Sequence, residues 1–311
     1  MPAVSDVIAC PRCGAADVAA DEAVVRCGSC GAFYPVVDGV PRFLGDLPAD
    51  ARQVQRVFDF EHRRFRDSWY TRFEPRLVDL FLKDCELARD FFAGKRVLDA
   101  GCGSGRWTYA LAHLGADVAA FDLTDGGLQA VRGELGERDG VLLCQGDLLR
   151  PPFRAESFDF VMSWGVLHHT RDTHAAFERL VPLVRRGGIL YVMVYERYSS
   201  VRRLGTEALR MVLRRLSDER RYRFCRHLVV ESPKLAALLS PFLMIAHYDR
   251  GSAPVDRASM QFGLFDAYSP RYNHVHSRAE VAGWFEAAGF GDVTVLDTPP
   301  GSQVKVRGKR L

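Results

Sequence analysis

Val97-Leu98-Asp99-Ala100-Gly101-Cys102-Gly103-Ser104-Gly105 decides the reading of this 311-residue chain. An apolar run enters a glycine-rich turn, and Arg106 to Leu114 continues with the spacing of a helix. Glycines in such a turn let the backbone approach a ligand closely, and the helix that follows presents free amides at its start. The turn alone says little, because dinucleotide-binding folds share it. Two details narrow it. The spacing is G-x-G-x-G, with Arg106 where the dinucleotide fingerprint has its third glycine. The strand also ends in an acid, Asp99, which repels a pyrophosphate and suits a cationic ligand. No G-K-[ST] follows, so the phosphate loop of nucleoside triphosphatases is excluded.

From Lys95 onward the chain alternates helical stretches with short β-like runs: RVLDA, DVAAF, VLLC, FDFVMS and GILYVMVY. That alternation predicts βαβ units around a parallel sheet, an α/β fold. Asp122 ends the second run just before Leu123, where such folds place an acid on ribose hydroxyls. Gln145-Gly146-Asp147 ends the third, and a carboxylate there can accept from an adenine amino group. The fourth run continues into Trp164-Gly165-Val166-Leu167-His168-His169, and residues 197–245 form a helical insert after the fifth. Ser277-Arg278-Ala279-Glu280 has the form of a capping box opening a helix that ends at Gly289. DVTVLD and QVKVRGK are the expected last strands.

Residues 1–45 carry a different signal. Cys10-Pro-Arg-Cys13-Gly and Cys27-Gly-Ser-Cys30-Gly are two C-x-x-C pairs, while the other four cysteines are scattered singly. Paired thiolates on two tight turns supply the four soft ligands that Zn²⁺ takes in a tetrahedron. With no position left for water, the expected role is structural. A segment this small scarcely folds without the metal. Its core and the Tyr34-Pro35-Val36-Val37-Asp38-Gly39-Val40-Pro41 tail resemble the short zinc-ribbon family of methyltransferase activator subunits. That resemblance implies a module that stabilises a methyltransferase or helps present its substrate.

VLDAGCGSG, the strand ending in Asp122, CQGDLLRPPF, FDFVMSWGVLHH and GGILYVMV stand in the order and spacing of a known family. Over residues 55–195 and 270–297 the chain resembles class I S-adenosylmethionine-dependent methyltransferases of the ubiquinone and menaquinone type. The resemblance implies a Rossmann-like seven-stranded sheet over residues 95–311, interrupted by the helical insert. It implies S-adenosylmethionine or S-adenosylhomocysteine as cofactor. Asp99, Gly101 and Gly103 then line the methionine side, Asp122 with Leu123 the ribose, Asp147 with Leu148 the adenine, and Trp164 lies beside the cofactor. Residues 46–94 read as a helical linker, within which FRDSWYTRF (residues 65–73) resembles a segment that forms part of a cofactor lid.

For the acceptor the sequence offers candidates and no decision. Histidine suits a base near neutral pH. His169 is the expected catalytic residue and His168 its packed neighbour, with Tyr195, Tyr272, His274 and His276 as candidate substrate contacts. The asparagine-proline-proline-aromatic motif of enzymes that methylate adenine or glutamine nitrogen is absent, with SWGV in its place. A cysteine pair of the cytosine-C5 kind is absent too. Both absences favour a small-molecule acceptor, such as a specialised metabolite or glycan precursor. The insert VRRLGTEALRMVLRRLSDERRYRFCRHL, with nine arginines against three acids, keeps alternatives open. It covers the site, joins two copies of the chain, or meets an anionic acceptor, RNA included. A net charge of +3 is too small to imply a polyanion by itself. A non-catalytic cofactor-binding scaffold remains a further alternative. No apolar run suits a membrane span, and the N-terminus lacks the n- and h-regions of a signal peptide, so a cytoplasmic protein is expected.

Overall fold

In the computed structural model, residues 4–66, 73–136, 138, 140–243 and 257–311 are described. The runs read as strands pair as expected, because each is apolar on both faces. They are β5 (Arg96–Ala100), β6 (Asp117–Asp122), β7 (Val141–Gln145), β8 (Phe158–Trp164) and β9 (Val184–Tyr195), joined by β10 (Phe290–Val295) and β11 (Gln303–Arg310). Their order is β10-β11-β9-β8-β5-β6-β7, a seven-stranded mixed sheet of the Rossmann-like methyltransferase kind. β5 pairs in parallel with both β6 and β8. The chain therefore leaves β5 to opposite sides, and a crevice opens at the carboxyl ends of these strands. Only β11 runs against its neighbours.

Alternate residues feed two apolar layers. Leu98, Ala100, Phe121, Val161 and Val192 face one, closed by Phe177 of α6 (Thr173–Leu180) and Phe285 of α11 (Arg278–Ala287). Val97, Val118, Phe160, Met162 and Tyr191 face the other, against Phe81 of α3 (Arg76–Cys85) and Trp107 of α4 (Arg106–His113). α5 (Asp125–Leu135) follows β6. The predicted capping box opens α11: Glu280 N donates to Ser277 Oγ at 3.2 Å, and Ser277 N to Glu280 Oε2 at 3.3 Å.

The N-terminal segment holds a short helix α1 (Val4–Val7) and a four-stranded sheet of β1 (Val18–Ala20), β2 (Val24–Cys27), β3 (Phe33–Val37) and β4 (Val40–Pro41). It packs on β7, the outermost strand, which would otherwise leave its polar edge bare. Phe43 N donates to Gln145 O at 2.8 Å, Ala9 N to Pro152 O at 3.0 Å, and Arg154 Nε to Ile8 O at 2.9 Å. Val25, Tyr34 and Phe43 belong to the same apolar layer as Phe121 and Phe153.

α2 (Ala49–Arg64) crosses the carboxyl ends of the strands. Of the stretch expected in a lid, residues 67–72 lie outside the described residues. The insert contains α7 (Ser200–Leu213), α8 (Asp218–Arg226) and α9 (Pro233–Leu239), and α10 (Arg257–Tyr268) follows. Its arginines are not a uniformly solvated face. Arg210 is 1% exposed and Arg221 2%. Arg210 donates to the carbonyls of Ala267 and Pro270, Arg221 to that of Ser269, and Arg214 to that of Arg271. Arg202 donates to the Leu243 and Ser240 carbonyls. The insert thus clamps the chain that leaves α10, and these side chains are committed to backbone instead of phosphates. Leu204, Met211, Val212 and Leu238 are exposed. Among the described residues no helix is long and apolar enough to cross a membrane.

Arg210→Met keeps the apolar stem and removes the clamp. Leaving a buried carbonyl unpaired costs about 1–3 kcal/mol. Denaturant unfolding is expected to show a loss of about 2 kcal/mol; unchanged stability would show that the clamp contributes nothing.

Candidate functional site

The turn after β5 is shaped by two close approaches. At Gly101 (φ 84°) a Cβ would lie 2.6 Å from the Val166 side chain, and at Gly105 (φ 84°) 2.4 Å from Val131. Only glycine avoids both the left-handed strain and the clash. The loop is then tied to β6: Gly101 N and Cys102 N donate to Phe121 O at 2.8 and 3.1 Å. Asp122 completes the attachment. Its Oδ2 accepts from Gly103 N at 2.9 Å, and its Oδ1 from Thr124 N at 2.8 Å and Thr124 Oγ1 at 2.7 Å. Since the threonine proton goes to Asp122, His62 Nδ1 donates to Thr124 Oγ1, 2.9 Å away. Burial holds His62 below its usual pKa, so the ring is neutral, with its Nε2 lone pair beside Gly103.

Asp99 is buried and accepts from Thr108 Oγ1 at 2.7 Å. Burial, with repulsion from Asp122, raises its carboxyl to about 7 against that hydrogen bond. Asp147 Oδ1 accepts from Leu149 N at 2.9 Å. Trp164 Nε1 donates to Asp84 Oδ2 at 2.8 Å. Asp99, Gly101, Gly103, Asp122, Leu123, Asp147, Leu148 and Trp164 all line one cavity of about 300 Å³. That is within the usual range for a small-molecule site.

The acceptor candidates divide. His169, Tyr195 and Tyr272 line the same cavity, whereas His168, His274 and His276 are not on its wall. His168 and His169 share the 3₁₀ turn Leu167–His169, where successive side chains point about 120° apart. His168 is buried with its ring 4.1 Å from that of Tyr195, and burial pushes its pKa well down. His274 stacks on Tyr272 at 5.8 Å, and His276 Nδ1 lies 2.7 Å from Glu280 Oε1 on α11. His169 lines the cavity, yet both ring nitrogens face protein groups. Nδ1 donates to Tyr272 O at 2.9 Å, and Nε2 lies 3.5 Å from Asp266 Oδ1.

Several wall residues carry no motif and escaped the sequence reading: Asp50, Glu61 and His62 on α2, Arg171, and Asp266 on α10. Glu61 is 1% exposed, on the helix face that also buries Val54 and Val57. An acid inside an apolar stripe was the available signal. Burial and the nearby Asp266 carboxylate raise the Glu61 pKa well above the usual range. Asp266 Oδ2 accepts from the Tyr195 hydroxyl. Asp50 accepts from Arg171 and, at 2.8 Å, from Tyr272 Oη, and these donors hold its pKa at about 2.

In the N-terminal segment the four Sγ atoms of Cys10, Cys13, Cys27 and Cys30 lie within 4.8 Å of one another. Gly14 N returns to Cys10 O at 2.8 Å and Gly31 N to Cys27 O at 3.0 Å, closing one turn over each pair. Four thiol donors converging from two such turns suit tetrahedral Zn²⁺, and the cluster fits a zinc ribbon.

Residues 98–192 match a family model described as a methyltransferase domain. Over 153 residues the chain is 27% identical to demethylmenaquinone methyltransferase of Staphylococcus aureus, covering 47% of this chain and 62% of that protein. Over 109 residues it is 38% identical to an uncharacterized protein of Synechococcus sp., covering 32% of this chain and 25% of that one. The chain therefore spans less than two thirds of the length of either relative. A crystal structure of magnesium protoporphyrin IX methyltransferase from Synechocystis PCC 6803 with bound SAH shares the fold, with a TM-score of 0.50 and 16% identity. That likeness covers 84% of this chain and 100% of that one. On its sheet order and on the match across its central strands, the chain carries a methyltransferase domain over residues 98–192 within a Rossmann-like fold.

Proposed function

We propose that the protein transfers a methyl group from S-adenosylmethionine to a small molecule held in this cavity. The observation that carries the reading is the set of strand-end carboxylates, Asp99, Asp122 and Asp147, arranged around a glycine loop and opening on one cavity. In this reading Asp99 meets the ammonium of the methionine part. Asp122 receives the ribose hydroxyls on lone pairs that its loop bonds leave over, and Asp147 with Leu148 borders the adenine. Bound there, S-adenosylmethionine supplies an electrophilic methyl on a sulfonium. The chain's part is to hold the acceptor in line with it and exclude water. Trp164, Tyr195 and Tyr272 shape the acceptor end, and His169 positions Tyr272 and Asp266. A small molecule is favoured over RNA because Arg202, Arg210, Arg214 and Arg221 of the insert are bonded to backbone carbonyls, which leaves a smaller basic surface for phosphates. Calorimetry with S-adenosylmethionine tests the reading, followed by an untargeted screen for methylated products. No binding would sink it.

Asp99 gives a pH signature. Its carboxyl titrates at about 7 without ligand. An ammonium needs the ionised form, so affinity should rise as pH rises through about 7 and level off above. Binding below that point should release a proton, read by titrating in buffers of different ionisation heat. A flat profile would remove Asp99 from the methionine end.

Asp122→Ala should weaken cofactor binding by about tenfold or more, since charge-assisted bonds to ribose are lost. It should also lower the melting temperature, because Gly103 N, Thr124 N and Thr124 Oγ1 lose their acceptor. Unchanged affinity with a lowered melting temperature would leave Asp122 a purely structural role.

We further propose one structural Zn²⁺ on Cys10, Cys13, Cys27 and Cys30. Elemental analysis should find one zinc per chain. The segment is bonded to Gln145, two residues before Asp147. Chelation, or Cys27→Ser, should therefore weaken cofactor binding as well as stability. Full cofactor affinity in a metal-free protein would overturn that coupling.

A further inference from the structure

The cavity has a second polar end that the cofactor reading does not use. Glu61 lines it with Oε2 buried and without a hydrogen-bond partner in the protein. A buried carboxyl left unpartnered is costly, and a ligand that donates a hydrogen bond removes that cost. Asp266 lines the same end, fixed by the Tyr195 hydroxyl on Oδ2 and with His169 Nε2 3.5 Å from Oδ1. His62, from the next position on α2, is committed to Thr124. Of the arginines on the described cavity wall, Arg171 is paired with Asp50 and Arg106 lies over the Trp107 ring. An anionic group placed beside Glu61 and Asp266 would face two carboxyls, whereas an O–H or N–H would find an acceptor.

We propose that Glu61 and Asp266 bind the reacting O–H or N–H of the acceptor and take its proton. The acceptor is then a neutral or cationic hydrogen-bond donor and not an anion. This rests on the methyltransferase reading. The acceptor's lone pair forms the bond to the methyl carbon, and the pair of the breaking carbon–sulfur bond stays on sulfur, which leaves as a neutral thioether. The proton from the acceptor passes to the carboxyl pair, before attack where the acceptor is an ammonium whose lone pair this frees, and the pair ends the step with one more proton than it began. Burial and the nearby Asp266 carboxylate raise the Glu61 pKa well above the usual range, so the pair holds a proton more readily than exposed carboxylates do. Tyr195, through its hydroxyl on Asp266 Oδ2, and His169, 3.5 Å from Asp266 Oδ1, hold that carboxyl in place on the cavity wall they share.

The test uses the full-length protein saturated with S-adenosylhomocysteine and three probes of similar size: benzylamine, phenol and benzoate. Calorimetry should show benzylamine and phenol binding at least about tenfold more tightly than benzoate. Glu61→Gln should keep S-adenosylhomocysteine affinity and lose about tenfold in benzylamine affinity. It should also lack a protonated-carboxyl band that the wild type shows in infrared difference spectra on benzylamine binding. Equal or tighter binding of benzoate, or no selectivity among the probes, would overturn the proposal. So would an unchanged Glu61→Gln variant. The wild-type panel decides the point if Glu61→Gln does not fold, with Asp266→Asn as the second variant. Failure of S-adenosylhomocysteine to bind would overturn the methyltransferase reading itself, which separates the two.

Discussion

The carboxylate of Asp122 holds the site in register. A glycine-rich turn is free to take many conformations, and its freedom must be removed before it can cradle a ligand. Asp122 does so from the end of the neighbouring strand, accepting from Gly103 N on one oxygen and from Thr124 on the other. His62 extends the network to α2. One buried charge therefore fixes the loop after β5, the turn after β6 and the helix that crosses the cavity. Burial, with repulsion from that charge, raises the neighbouring Asp99 carboxyl to about 7.

Two appended pieces brace this arrangement from different sides. The cysteine-bearing segment caps the open edge of β7 and reaches Gln145 through Phe43 N. Arg42 adds an ion pair to Asp125 at 2.6 Å, at the start of α5. The insert works beside the other end of the cavity. Buried guanidinium groups on Arg210 and Arg221 take the carbonyls of the chain leaving α10. That chain carries Tyr272 to the cavity wall, and α10 itself carries Asp266. Burying two arginines is unfavourable unless their donors are satisfied, and backbone carbonyls satisfy them. The same cluster joins Phe65, after α2, with Phe262 and Phe265 of α10.

The end of the cavity proposed for the cofactor was legible in the sequence because its features are local. A strand, a turn and a helix start are contiguous, and acids at strand ends are recognisable one strand at a time. Asp99, Asp122 and Asp147 meet in space for the reason that the alternating pattern already implies: parallel neighbours bring their carboxyl ends to one edge. Cys10, Cys13, Cys27 and Cys30 were legible likewise, since paired knuckles are a short-range geometry.

The end proposed for the acceptor was decided by tertiary structure. Glu61 and Asp266 are 205 positions apart, and beyond the apolar stripe that Glu61 shares with Val54 and Val57 nothing local links them to each other or to a site. Their meaning comes from burial together, which depends on how α2 and α10 pack. The sequence set His169 apart from a packed His168 only as an expectation, and a 3₁₀ turn sends the His168 ring into the core and the His169 ring to the cavity. The arginines of the insert left a surface for anions open beside a cover over the site or a dimer contact, and tertiary contact turned several of them to carbonyls. Sequence determined what is set by adjacent residues and by strand order. Packing between distant helices decided the rest, because burial fixes both the charge state of a side chain and what it can touch.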